Sequence, residues 1–136
     1  MYAILDIETT GGQFNEEGIT EIAIYKFDGH EVVDQFISLV NPEKPIQPFV
    51  VKLTGINNAM LRSAPKFYEI AKRIIEITQD CILVAHNTSF DYRILRTEFN
   101  RLGYDFIKPT LCTVELSQKL IPGQASYSLG KLVRAL

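Results

Sequence analysis

Apolar and polar residues alternate through Tyr2-Ala3-Ile4-Leu5-Asp6-Ile7-Glu8-Thr9, and the run closes on Thr10-Gly11-Gly12. A period of two predicts a strand that ends in a tight turn. Ala3, Leu5 and Ile7 then face one side, and Ile4, Asp6 and Glu8 the other. Beyond a polar loop from Gln13 to Gly18, Ile19 to Phe27 and Val32 to Val40 read as two more strands, joined by a turn at Asp28-Gly29-His30. Three strands in succession predict an antiparallel meander. The stretch from Asn41 to Pro48 carries Pro42, Pro45 and Pro48, which remove ladder donors, so it reads as an extended connection within one domain. Leu53 to Asn58 reads as turn-like, followed by a short helical piece near Met60 and Leu61.

In the second half the apolar period lengthens. Pro65 suits a first helical position, and Phe67, Ile70, Ala71, Ile74, Ile75 and Thr78 recur at the spacing of a helix that buries one face. Cys81 to Ala85 is a nearly continuous apolar run, as expected for a central strand covered on both faces. His86-Asn87-Thr88-Ser89-Phe90-Asp91 leads from that strand into a helix, with Thr88 or Ser89 as its cap, Asp91 in its first turn and Gly103 as its stop. Thr110 to Thr113 adds a short extended piece, and Val114 to Ile121 reads as a helix halted by Pro122-Gly123. Gln124 to Tyr127 is a loop. Ser128 would cap a last helix with Leu129, Leu132, Val133 and Leu136 as its apolar positions.

Asp6 and Glu8 set two carboxylates about 7 Å apart on one face of a strand. Burying both ionised costs several kcal/mol per ion unless a cation or donors compensate, and no basic residue lies within the stretch. A divalent metal is the economical answer, and a solvated edge where the strand frays into its loop is the lesser alternative. Asp91 lies where a strand hands over to a helix, at the edge of an α/β sheet where sites concentrate. It could join Asp6 and Glu8, or merely complement the helix dipole. Glu21 is either an outer partner of the site or a strand-end charge. Leu53, beside a turn, could wedge against a ligand, although packing is the commoner fate. Arg93, Arg96 and Arg101 give one helix a basic surface that could touch phosphates, although a solvated charged face is the commoner reading.

Composition narrows the class. The 136 residues suffice for one domain with a real core, and 46% hydrophobic with 22% charged residues is ordinary for a globular protein. No apolar run nears the roughly 20 residues of a membrane span, and no signal peptide pattern opens the chain, so a cytoplasmic setting is the expectation. Cys81 and Cys112 lack paired-ligand spacing and read as buried free thiols. A formal charge of −2 offers no global basic field for nucleic acid, though bound divalent ions would reverse the sign locally.

Four segments together resemble the DEDDh exonucleases of DnaQ type, the family that includes proofreading subunits of bacterial DNA polymerase III. They are Asp6 to Gly11, Thr54-Gly55-Ile56, Ala85 to Asp91, and Ser126-Tyr127-Ser128-Leu129. The resemblance implies a ribonuclease H-like α/β fold, a mixed sheet whose opening antiparallel meander is flanked by helices. It also implies 3′ to 5′ hydrolysis of nucleic acid with two Mg²⁺ or Mn²⁺ ions. Asp6 and Glu8 would bind metal and Asp91 would support it; Thr9, Thr10 and Gly11 would line the terminal nucleotide, with Leu53 and Thr54 near its base or sugar and Asn87 and Phe90 at the border. The expected partners are a single-stranded or frayed DNA 3′ end and a DNA polymerase subunit, with RNA open as an alternative substrate.

The family completes its site with a His followed five residues later by an Asp, beyond the Ser-Tyr-Ser-Leu segment. Residues 1–136 end before that motif, so they are expected to form an exonuclease domain without its C-terminal segment, weakly active or inactive alone. His86 is read as structural and His30 as a surface residue. A non-catalytic nucleic-acid-binding or protein-interaction module on the same fold is the reading from another class.

Overall fold

The computed structural model describes residues 1–13, 16–124 and 126–135. Five strands, β1 (Tyr2–Thr9), β2 (Ile19–Phe27), β3 (Val32–Leu39), β4 (Ile82–Ala85) and β5 (Thr110–Cys112), form one sheet in the order β3-β2-β1-β4-β5. The meander β1-β2-β3 is antiparallel, and β4 and β5 join parallel on the other side of β1. This is the expected mixed α/β sheet, with the opening strand at its centre.

The alternation in β1 is resolved as read. Ala3, Leu5 and Ile7 are buried, whereas Ile4 and Asp6 are exposed and Glu8 is half-buried. The buried set packs under α3 (Phe67–Thr78) and α4 (Thr88–Arg101), where Ile70, Ile74, Ile94 and Leu95 meet Ile22, Ile24 and Leu83. Phe99 closes this layer, edge-on to Phe67 at 5.0 Å and stacked on Phe106 at 4.6 Å. On the opposite face the cover is thinner. There α5 (Thr113–Leu120) and α6 (Leu129–Ala135) leave an apolar hollow of ≈ 280 Å³ bounded by Ile4, Tyr25, Val84, His86 and Leu129.

Several local expectations change. The connection from Asn41 is without helix up to Gln47, but Pro48 and the residues after it, for which no element was expected before Leu53, form α1 (Pro48–Thr54), which ends on Gly55 at φ 75°. Leu53 and Thr54 are therefore helical rather than turn residues; α2 (Asn58–Leu61) is the short helical piece. Pro65 sits one residue before the cap of α3, which is Lys66, its amide donating to the Glu69 carboxylate, while the carbonyl of Pro65 accepts from the Asn41 amide. Ile77 is buried in α3 where Ile75 is only partly so.

Neither Thr88 nor Ser89 caps α4. Asn87 holds that position with φ 71°, while the Thr88 hydroxyl donates to the carbonyls of Ala85 and Leu111 and so splices β4 to β5. Ile82 is at the exposed margin, so β4 is covered on both faces only beyond it. Cys81 is buried as expected, but Cys112 is half-exposed, because it opens α5 at the sheet edge; both are free thiols. In α6 Leu132 is buried while Leu129 and Val133 are exposed, and Leu136 lies outside the described residues, as does Ala125 of the preceding loop.

Candidate active site

The site is built at the carboxyl end of β1. Asp6 lies opposite Ala23 and Glu8 opposite Glu21, and the register slips by one residue between Glu8 and Thr9. Such a bulge bends the strand and increases its twist, and bulges recur beside active sites. It turns the chain away directly after the second acid. From the other side, the parallel partner β4 ends at Ala85 and delivers the first turn of α4, with Asp91 inside it.

Asp91 is buried, 5% exposed, and its carboxyl is pushed up to about 7, first by burial and then by the negative charges of Asp6 and Glu8. Glu8 is raised as well, by burial and by the charges of Asp6 and Glu21. The three acids singled out in the sequence therefore share one electrostatic environment. None of their carboxylates takes part in a hydrogen bond or ion pair among the described residues. Burial without donors and mutual repulsion both disfavour the charged forms. Among the described residues, no three His, Cys, Asp or Glu side chains converge to ligating distance, so the acids are neighbours rather than a closed cage.

Around them the other expected residues take different places. The Thr9 hydroxyl accepts from the Gly11 amide at 3.2 Å, and Gly11 adopts φ 71°. A Cβ on Gly11 would lie 2.9 Å from Val50 Cγ2, so only glycine lets α1 approach the turn this closely. Thr10 was expected to line a ligand but is buried. Its hydroxyl donates to the Gly11 carbonyl and accepts from the Gly18 amide, and its backbone bonds Gly18 and Gln47, so it builds the turn.

Thr54 likewise spends its hydroxyl on the end of α1, donating to Val50 and accepting from Ile56. Leu53 is 80% exposed, so packing is not its fate. Asn87 is exposed with its side-chain oxygen held by Ser89, and Phe90 is half-buried under the Arg93 guanidinium at 5.5 Å. His86 is occupied at both ring nitrogens, Nδ1 by the Thr113 hydroxyl at 2.8 Å and Nε2 by the Tyr127 carbonyl at 2.7 Å. That is the structural role expected of it, and His30 is exposed in its turn.

One alternative that the sequence left open is decided by the register, and two features, at Glu17 and Cys112, escaped the sequence reading. Glu21 stands directly across from Glu8 and raises its pKa, which only the strand register reveals. Glu17 in the loop after Gly12 is buried and paired with Arg93, so that arginine is no solvated charge. Arg96 and Arg101 are paired too, with Asp105 and Glu98. Cys112 adds its charge to the pressure on Asp91, and its own pKa is lowered by the amides of Glu115 and Thr88, against the effect of burial.

Residues 3–136 match the model of the RNase T exonuclease family. The chain belongs to this exonuclease family. It is 36% identical over 131 residues to the PolC-type DNA polymerase III of Caldanaerobacter subterraneus subsp. tengcongensis, covering 96% of this chain and 9% of that protein. It is 35% identical over 135 residues to the 3′-5′ exonuclease DinG of Staphylococcus epidermidis, covering 98% of this chain and 15% of that protein. The exonuclease domain thus spans only a small part of both relatives.

Among solved structures, exonuclease X in complex with 5′ overhanging duplex DNA superposes with a TM-score of 0.80 at 30% identity, over 99% of this chain and 72% of that one. The nuclease domain of 3′hExo, a DEDDh member bound to rAMP, shares the fold at 17% identity with a TM-score of 0.82, over 98% of this chain and 77% of that one. Hydrolytic nucleases surround this exonuclease domain in both sequence and fold. No helix among the described residues is long and apolar enough to cross a membrane.

Proposed function

We propose that this domain removes nucleotides from DNA 3′ ends by hydrolysing the terminal phosphodiester, with Asp6, Glu8 and Asp91 holding divalent metal. The observation that carries the reading is the uncompensated trio of acids at the end of β1, with Asp91 pushed up to about 7 by burial and by the other two. Oxygen-only donors of net negative charge suit hard cations such as Mg²⁺ or Mn²⁺. Bound there, the ions would supply Lewis-acid activation of water and stabilise the departing 3′ oxygen.

The chain's own residues supply the frame. The turn at Thr9 to Gly11, tied down by Thr10, offers backbone to a terminal nucleotide, and exposed Leu53 and Asn87 with half-buried Phe90 offer side-chain surface beside it. Backbone and stacking contacts of this kind confer little sequence preference. The PolC-type relative supports a proofreading or repair setting beside a DNA polymerase. His86 is engaged at both nitrogens and His30 is exposed in the turn between β2 and β3, so neither supplies a general base at the acids. Residues 1–136 alone are expected to bind metal and end-bearing DNA well and to turn over slowly, by about 10²- to 10⁴-fold relative to a site with its base.

Calorimetry with Mn²⁺ on the wild type, Asp6→Ala and Asp91→Asn tests this directly. Affinity is expected to drop at least tenfold in both variants and, in the wild type, to weaken as the pH falls below about 7, because Asp91 must lose its proton to ligate. Equal Mn²⁺ affinity in all three proteins sinks the metal reading and leaves a binding module on the same fold.

A further inference from the structure

The sheet ends in an open edge. In the order β3-β2-β1-β4-β5 the strand β3 is paired on one side only, and no strand among the described residues lies beyond it. One bond tells which of its backbone groups point outward. The Val40 amide donates to the Thr20 carbonyl at 2.8 Å, and bonded and non-bonded pairs alternate along an antiparallel ladder, so Ser38, Phe36 and Asp34 also turn their amides and carbonyls to β2. Val33, Gln35 and Ile37 turn theirs away from the sheet. Of these outward groups only the Gln35 amide has a partner among the described residues, the Asp34 carboxylate at 2.8 Å.

Long edges are usually blunted by lysine, proline or a bulge. From Val32 to Leu39 there is no basic residue and no proline, and the one irregularity of pairing lies at the start, opposite Phe27. The one charge, Asp34, is answered by Arg73 of α3 at 2.7 Å. The side chains that flank the edge are apolar and uncovered. Val33 is 46% and Ile37 53% exposed, on the open face of the sheet that also carries Asp6.

The strand is also its own complement. Laid antiparallel against a copy of itself about Gln35, it sets Gln35 opposite Gln35 and Val33 opposite Ile37 twice, with the outward amides and carbonyls meeting. Asp34 then falls opposite Phe36, so no like charges meet. Centred instead on Phe36, the same strand sets Ile37 against Gln35, and Val33 against Leu39, which already packs with Ile46 and Val50. The exposed apolar pair therefore selects the first register.

We infer that β3 is the contact edge of a symmetric dimer, in which a second copy of this chain continues the sheet across a twofold axis at Gln35. The axis stands normal to the sheet, so both open faces lie on one side. Five interstrand steps of about 4.8 Å then set the two β1 strands about 24 Å apart, each with its own acids. A single strand pair belongs at the low end of interface sizes, below about 1,200 Å², and the dimer is accordingly a weak one. It stands whether or not the acids bind metal.

Sedimentation equilibrium of residues 1–136 from about 10 µM to about 1 mM, the range in which weak complexes form, should show monomer and dimer in exchange. Over the same range the Val33 and Ile37 amides of the wild type should exchange with deuterium more slowly as concentration rises. Gln35→Pro, tolerated on an edge whose amide points out of the sheet, should abolish association and leave the urea midpoint close to that of the wild type. Val33→Lys and Ile37→Glu should each weaken self-association at least tenfold. An equimolar mixture of these two variants should associate more tightly than either alone, because the new charges meet across the axis. A wild type still monomeric at about 1 mM, a dimer indifferent to Gln35→Pro, or a mixture no tighter than its components overturns the inference.

Discussion

Two buried carboxylates lie against the first turns of α4 in opposite surroundings. Glu17 is 8% exposed and meets the Arg93 guanidinium with both oxygens, at 2.8 and 3.3 Å. Asp91, two residues before that arginine on the same helix, has no partner among the described residues and faces Asp6 and Glu8. Glu17 is answered from within the fold and fastens the β1–β2 loop to α4. Asp91 is left unanswered, which a fold tolerates where a ligand supplies the missing charge. Burial alone thus separates nothing; the company of the buried group does.

The sharpest way to break this contrast is to neutralise Asp91 in metal-free protein. Its carboxyl titrates at 3.8 when free and at about 7 in the fold, a gap worth about 4 kcal/mol. Because the folded state holds the proton more tightly, the stability contributed is fully present below about pH 4 and is lost as the pH rises through about 7. Urea unfolding in EDTA is therefore expected to show the wild type losing stability from pH 4 to 7.5. Asp91→Asn should not share that loss and should end more stable at pH 7.5 by up to about 4 kcal/mol. Added Mn²⁺ should reverse the order, since it stabilises only the protein that binds it. A wild type more stable than Asp91→Asn at pH 7.5 in EDTA would mean that Asp91 is a structural acid like Glu17.

Glu17→Ala should move stability the other way. Stripping one partner from a fully buried pair costs about 3–5 kcal/mol, and since Arg93 keeps 23% of its side-chain surface in solvent, roughly 2 kcal/mol is expected here. The loss should be insensitive to Mn²⁺. A double-mutant cycle with Arg93→Ala isolates the pair, and a coupling near zero would show that the loop is held by other contacts.

Much of this frame was readable before any coordinates. The period of two in β1, the helical spacing from Phe67 to Thr78 and the strand-to-helix passage at Ala85 to Asp91 each carry their own periodicity, so the elements and the faces of Asp6 and Glu8 followed. What was hidden depends on contacts between segments. The run Phe49-Val50-Val51 after three prolines carries two β-branched residues and no helical period of its own, and its helix is held by Val50 packing with Ile46, Ile56 and Leu61. Glu21 reaches Glu8 only through the pairing register of β1 with β2, and Glu17 finds Arg93 across 76 positions of sequence. Leu53 was weighed as packing and is exposed, because the apolar side of α1 runs through Val50 instead. Leu53→Ala should accordingly change stability by less than about 0.5 kcal/mol while weakening binding of a DNA 3′ end, measured by melting and by calorimetry with a thymidine octamer.

The mildest test asks whether any buried polar group without a partner marks function. Thr20 is fully buried on the helix-covered side of β2, and its hydroxyl finds no hydrogen bond among the described residues. It shares burial and lack of a partner with Asp91 but is neutral and far in character from a cluster of charges. An unsatisfied hydroxyl costs about 1–3 kcal/mol in such a place. Thr20→Val, close in shape, should therefore raise stability by about 1 kcal/mol, read as a higher urea midpoint with an unchanged slope, and should leave Mn²⁺ affinity as it was. If Thr20→Val instead weakens Mn²⁺ binding, the core beneath β2 is coupled to the acids, and the division between a closed structural face and an open functional one fails. If only stability moves, convergence of like charges, rather than burial or want of a partner, is what distinguishes Asp91.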